Sequence, residues 1–317
     1  MMVHPSRHLL PFLMTPVCGL LLACADDPPH LSEASGVCRQ GDYLLIVGDE
    51  GNAGFRIAIG DFLPPLISLD HRSLEVVPIP HPELTDDLES IDVLADGRVV
   101  ALSESGYSLA SAADGLVVQY DETLSPVSGR GLEGLAARPA DAGGSWIAVV
   151  WEGGYPRPDK SLPRGGVDDY FSMLPLLVVH ELGAGEKGMI HTLADAPALP
   201  LRVHTPKGEE PEAPRFRAPD LVWHRMPDGS WGFIVLLSSE NLAGDPRSRL
   251  RCLQRFDRNG APVGDPLDIE KLLPDTMQDL NWEGLGWFDP GKSLVTVYDA
   301  DAGTRSHAFV IDLPEGW

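Results

Sequence analysis

Short apolar runs recur along the chain, and turn residues rather than a helical period separate them. In DLESIDVLADGRVVALSESG (87–106) two β-type runs flank Asp96-Gly97, a dipeptide that supplies the positive φ a tight hairpin needs. The same arrangement returns in GLEGLAARPADAGGSWIAVVWEGG (131–154), in APDLVWHRMPDGSWGFIVLLSSEN (218–241) around Asp228-Gly229, and in NWEGLGWFDPGKSLVTVYDAD (281–301). GDYLLIVGDEGN (41–52) has the form of the second half of a further unit whose first half is not recognisable.

Further strand-like runs follow the units: GLVVQYDE, LPLLVVHEL, RLRCLQRFDRNG and SHAFVIDLP. Repeated groups of antiparallel strands with almost no helical periodicity predict an all-β fold, a β-propeller of five or six four-stranded blades. The uncertain blade lies between the second and third clear copies, a stretch about twice the usual blade length that carries two Pro-, Gly- and charge-rich insertions (155–173 and 197–217). Such insertions belong on the surface.

A chain of 317 residues with 43% hydrophobic residues can bury a large core, and its formal net charge of −23 disfavours nucleic acid as a partner. Cations are the favoured small partners. The apolar stretch Leu9–Ala23 follows Arg7, is broken by Pro11 and Pro16, and has the order of a signal peptide rather than a permanent span. Leu21-Leu22-Ala23-Cys24 resembles the bacterial lipobox, in which the cysteine is acylated with chains such as palmitate and becomes the first mature residue. The expected organisation is therefore a lipoprotein signal peptide (1–23), a lipidated tether (24–40) and a propeller domain (41–317). That implies a periplasmic or surface protein held to a membrane of the bacterial cell envelope through Cys24. Ala25, standing where an inner-membrane retention aspartate would be, favours the outer membrane. Cys38 and Cys252 could form one disulfide in an oxidising compartment, or remain two buried thiols.

The inner strand of each propeller blade lines a central channel. The repeat places Glu89, Glu133, Asp220 and Glu283 at one ring position, with Glu104, Glu152, Glu240 and Asp299 beside them on the second strands and Asp49 and Glu50 in the incomplete copy. Carboxylates so gathered repel one another unless they take up protons or bind a cation. Calcium, which accepts six to eight oxygens in flexible geometry, suits such a site, and no His/Cys spacing points to zinc. The expected metal ligands are Glu89, Glu104, Glu152, Asp220, Glu240 and Asp299, with Glu133 and Glu283 as candidate general bases. Equally open is an architectural role, in which a carboxylate accepts backbone N–H bonds from the next blade and the adjoining glycine permits close approach. Trp151, Trp223, Trp231, Trp282 and Trp287 accompany the acids and suit packing between blades more than stacking on a sugar. Nucleophile elbow, phosphate loop, dinucleotide fingerprint and metalloprotease motifs are absent from the sequence.

At Asp87-Leu88-Glu89-Ser90-Ile91, Leu132-Glu133-Gly134-Leu135 and Trp282-Glu283-Gly284-Leu285 leading to LVTVYDAD, the chain resembles the propeller family named for the esterase-like activity of phytases. It departs from that pattern at Ser90 and at Asp220, where Gly and Glu-Gly are expected. The resemblance implies calcium-assisted hydrolysis of phosphoric esters, with Arg56, Arg130 or Arg217 available to an anion. The alternative expectation is a non-enzymatic propeller that binds a protein or glycan of the cell envelope.

Overall fold

The computed structural model describes residues 31, 33–49, 53–61, 65–69, 74–78, 87–121, 131–153, 174–191, 198–201, 216–239, 251–273, 281–299 and 306–317. All of their strands fall into five sheets, the five blades of a propeller. Blade 1 is β1 (Ala34–Gln40), β2 (Tyr43–Gly48), β3 (Ala53–Ala58) and β5 (Glu75–Pro78); between the last two, β4 (Leu66–Ser68) leaves for another blade. Blade 2 is β6 (Leu88–Val93), β7 (Val99–Ser103), β8 (Ser108–Ser111) and β9 (Gly115–Tyr120). Blade 3 is β10 (Leu132–Pro139), β11 (Ser145–Trp151), β12 (Leu176–Leu182) and β14 (Leu199–Pro200), while β13 (Met189–His191) pairs parallel to β9 as a fifth strand of blade 2. Blade 4 is β15 (Phe216–Arg225), β16 (Trp231–Ser239), β17 (Arg251–Asp257) and β18 (Pro262–Asp268). Blade 5 is β19 (Asn281–Asp289), β20 (Ser293–Asp299) and β21 (His307–Asp312), completed by β4.

The stretch with room for a sixth blade is thus taken up by β12, β13 and β14, and the count is five. The first blade also begins earlier than the sequence suggested. Residues 34–40, expected as tether, form the inner strand β1, so the propeller starts near Ala34 and not at residue 41.

Each blade is sandwiched between two others, so its second strand is buried on both faces. Leu44 and Ile46 of β2 pack with Val295 and Val297 of blade 5, whereas Leu45 and Val47 pack with Ile91 and Ala101 of blade 2. This two-sided burial is why the second strands are continuous apolar runs instead of alternating ones. The hairpins between first and second strands turn at Gly97 (φ 87°) and Gly229 (φ 85°), which relieves the side-chain clash of the left-handed region.

The ring is closed between its ends by β4, which pairs with β21 through His307–Ser68, Ala308–Ile67 and Phe309–Leu66. Cys38 lies between blades 1 and 2 and Cys252 between blades 3 and 4. Both are buried free thiols, so the disulfide considered from the sequence is not formed. Burial pushes the Cys252 thiol up to about 12. His180 of β12 and His191 of β13 come from adjacent blades and stack between them with ring centroids 4.5 Å apart. Lipidation at Cys24 falls outside the described residues, among which no helix is long and apolar enough to cross a membrane.

Candidate functional site: the acidic mouth of the channel

All five inner strands bend at the same point. The ladder between first and second strands slips at Ala34/Gly36, Leu88/Ser90, Leu132/Gly134, Arg217/Asp220 and Trp282/Gly284. A β-bulge leaves one residue out of the ladder and re-aims its side chain. The residues so displaced are Ser35, Glu89, Glu133, Pro219 and Glu283, hence three of the expected acids do occupy one ring position.

Asp220 does not. It aligns with Gly36, Ser90, Gly134 and Gly284, one residue further along, where the inner strands crowd closest. A Cβ on Gly134 would lie 2.7 Å from the Asp220 Cα, and one on Gly284 would lie 2.7 Å from the Ser35 carbonyl oxygen. At this neck Asp220 is fully buried. Its Oδ1 accepts from the backbone N–H of Leu221 (2.8 Å) and Leu135 (3.2 Å) and from Ser90 Oγ (3.3 Å), and its Oδ2 accepts from the Leu285 N–H (2.7 Å). One carboxyl therefore ties blade 4 to blades 2, 3 and 5. Burial raises its pKa well above the usual carboxylate range, opposed by the three N–H bonds. Asp220 is a structural staple and not a metal ligand.

The same slip affects the second strands. Arg217 pairs with Ser238, and Asn281 with Asp299, so Ser238 and not Glu240 stands where blades 2, 3 and 5 carry Glu104, Glu152 and Asp299. Glu240 and Glu50 lie outside the described residues, and of Asp299 only the backbone is described.

In blade 2 the acids converge. Asp87, Glu89 and Glu104 each offer a carboxylate oxygen, all within 4.8 Å of one another. Asp87 holds a left-handed backbone (φ 68°) at the start of β6, and its carbonyl accepts the Glu104 N–H at 2.9 Å. The Glu104 side chain leans over Gly131 of blade 3, where a Cβ would collide with its stem. Oxygens on a calcium ion at 2.3–2.6 Å can be up to about 5 Å apart, so this set fits a hard cation with oxygen ligands.

Burial, followed by the charges of Glu283, Glu104, Asp87 and Asp49, raises Glu89 well above its ordinary range. Glu133 rises for the same kind of reason, burial first and then Glu152 and Glu89, while the Arg217 charge draws it back. Glu104 is raised to about 7 by burial and by the charges of Asp87 and Glu152. Glu152, expected as a metal ligand, is instead ion-paired with Arg217 Nε. The Asn281 amide donates to Glu283 Oε1. Arg56, one of the arginines considered for an anion, pairs with Glu75 on exposed outer strands, and Arg130 lies outside the described residues.

These raised values have a consequence for stability. A carboxyl whose pKa is higher folded than unfolded binds more protons in the folded state, so stability falls as pH rises across the interval between the two. For Glu104 that interval runs from 4.5 to about 7. In chelator, the thermal midpoint is expected to drop by several degrees between pH 5 and pH 7.5, and a divalent cation should remove most of the drop. Thermal unfolding followed by circular dichroism checks it; a midpoint that rises over this range would contradict the assignment.

The opposite end of the channel, beyond the Asp220 neck, opens into a cavity of about 390 Å³. Among its lining residues are Arg39, Asp92, Arg138, Trp223, Trp231 and Trp287. Asp92 Oδ2 accepts from the Ala137 N–H at 2.6 Å and Oδ1 from its neighbour Val93 at 2.7 Å; burial, opposed by these bonds, raises it to about 7. Sequence comparison between repeats missed this end. Its residues differ in type from blade to blade, so no repeated letter marks them.

No protein-family model and no curated protein matches the chain. Among solved structures it is similar to an endo-arabinase from Bacteroides thetaiotaomicron, at 11% identity over 90% of this chain and 94% of that one with a TM-score of 0.48. It is also similar to a virginiamycin B lyase from Staphylococcus aureus, at 10% identity over 88% and 95% with a TM-score of 0.39. Likenesses this loose carry no argument about chemistry, and the five-bladed propeller stands on its own strand pairing.

Proposed function

We propose that this chain is a lipid-tethered propeller of the bacterial cell envelope, acylated at Cys24, that binds calcium at the acidic mouth and hydrolyses a phosphoric ester there. The observation that carries the reading is the convergence of Asp87, Glu89 and Glu104 at ligand spacing. Those three residues would hold the ion. When bound, it would neutralise phosphoryl oxygens and acidify water, which an acidic protein needs before it can accept an anion.

The protein's own groups divide the proton work. Glu283, oriented by the Asn281 amide, takes a proton from the attacking water. Glu133, whose pKa is raised by burial and by the neighbouring carboxylates, gives one to the leaving oxygen. Water's oxygen bonds to phosphorus as the ester P–O bond breaks, so atoms and protons balance.

A second reading, a non-enzymatic propeller that binds an envelope protein or glycan, is favoured by the acids that serve architecture: Asp220 at the neck and Glu152 on Arg217. Calcium titration by calorimetry, followed by hydrolysis of an aryl phosphomonoester, separates the two. We expect calcium binding to weaken at least about tenfold in Glu89→Gln, and hydrolysis to fall by about 100-fold or more in Glu283→Gln. Calcium binding without turnover would leave the second reading. An absence of calcium binding would remove the metal site, and palmitate labelling that persists in Cys24→Ser would remove the anchor.

A further inference from the structure

The cavity beyond the neck combines three chemistries. The first is fixed indole. Trp223 Nε1 donates to the Ala136 carbonyl at 3.2 Å and Trp287 Nε1 to the Trp223 carbonyl at 3.0 Å, so these rings are held before any ligand arrives. Trp231 stands edge-on to Trp223 with centroids 6.4 Å apart. Trp223 is buried behind Arg138 and Phe233, so the half-buried rings of Trp287 and Trp231 are the apolar surface a ligand meets.

The second is positive charge: Asp141 and Glu181 act on Arg138 from beyond ion-pair distance. Arg138 Cζ lies 4.7 Å from the ring centroids of both Trp223 and Trp231. Its Nη1 donates to the Pro139 carbonyl at 2.9 Å, and its buried Nε has no partner among the described residues. Arg39 likewise donates to the carbonyls of Gly41 and Phe288. Among the described residues neither arginine forms an ion pair, although the chain as a whole carries −23. A planar guanidinium held against indole recognises a carboxylate with little loss of freedom on binding.

The third is a hydroxyl acceptor. Each Asp92 oxygen takes one backbone N–H, which leaves each with a second lone pair. An anionic group, an apolar ring face and hydroxyls to donate are together the features of a sugar acid. Carbohydrate C–H faces stack on indole, and about 390 Å³ is within the range of small-ligand sites.

We propose that this cavity is a binding site for an acidic saccharide, a hexuronate unit whose carboxylate meets Arg138 and whose ring lies against the indoles. It is separated from the acidic mouth by the Asp220 neck, and it stands whether or not that mouth is a hydrolase site.

The test is titration of the purified protein with digalacturonate in the presence of chelator, followed by tryptophan fluorescence and calorimetry. Maltose serves as the neutral disaccharide and inorganic phosphate as the bare anion. Digalacturonate is expected to bind saturably, at least tenfold more tightly than maltose or phosphate. Arg138→Met, which keeps a flexible stem but removes the charge, should abolish that preference. Arg138→Lys should retain part of it, and Trp231→Ala should weaken binding of the uronate at least tenfold. Glu75→Gln, on an exposed outer strand of blade 1, should leave the affinity unchanged, and near-ultraviolet circular dichroism verifies that each variant is folded. Equal affinity for maltose, phosphate binding as tight as that of the uronate, or undiminished binding in folded Arg138→Met would each overturn the proposal.

Discussion

Asp220→Ala is expected to lose about 3–5 kcal/mol of stability, the range for removing one partner of a buried polar cluster. The lost carboxyl leaves the N–H groups of Leu135, Leu221 and Leu285 and the Ser90 hydroxyl facing an apolar methyl. Each orphaned donor costs about 1–3 kcal/mol. Part of the sum is returned, because the parent also has to bury the acid, whose raised pKa records that penalty. In a propeller of this size the net corresponds to a fall in thermal midpoint on the order of 10 °C. Asp220→Asn should lie between variant and parent. It keeps the shape, but its amide nitrogen must point at one of the N–H donors. A loss below about 1 kcal/mol for Asp220→Ala, measured by urea unfolding, would show that the blades are not tied through this side chain.

The history of Asp220 shows how far the sequence carried the fold. Continuous apolar second strands and tight hairpins mark blades 2 and 4 and the inner halves of blades 3 and 5, since two-sided burial and tight turns leave strong local marks. Blade 1 is half hidden in the sequence because its bulge residue is Ser35 and not an acid. Ser35-Gly36-Val37 does match Glu133-Gly134-Leu135 if the small residue, not the acid, anchors the alignment. Asp220 falls on the glutamate position only when acids anchor the alignment, whereas Ala218-Pro219-Asp220-Leu221 places Pro219 there and Asp220 on the glycine. The small residue is the better anchor because it is fixed by contact between strands at the axis, where any side chain must find both room and partners. The bulge position stands outside the ladder, and blades 1 and 4 carry serine and proline there.

Within the candidate site, Glu89, Glu133 and Glu283 were placed by the repeat, and Glu104 followed from them. Two features were not legible. Asp87, the third member of the converging set, belongs to the turn ahead of the strand, where no periodic pattern reaches. The pairing of Glu152 with Arg217 joins blade 3 to blade 4 across 65 positions of sequence, and nothing local forecasts which acid an arginine will choose.

That pairing supports the second large effect, expected in Arg217→Met. Glu152 is 1% exposed and Arg217 13% exposed at the side chain, so the pair is buried. Removing the arginine leaves a carboxylate in a dry environment beside Glu104 and Glu133, whose own raised values already include its repulsion. Breaking a buried pair from one side costs about 3–5 kcal/mol. Arg217 also draws Glu104 and Glu133 back toward ionisation, so its loss raises the repulsion of the whole mouth. The double variant Arg217→Met/Glu152→Gln should recover most of the loss, because neither charge then remains to be desolvated, and the cycle should give a coupling of about 2 kcal/mol or more. Calcium sharpens the distinction between architecture and cation binding. If the mouth binds the ion, saturating calcium should stabilise Arg217→Met by more than it stabilises the parent, since the ion replaces a lost positive charge. Equal stabilisation would mean that the ion binds without replacing the Arg217 charge, and none would mean that Arg217 neutralises an acidic mouth to which calcium is indifferent.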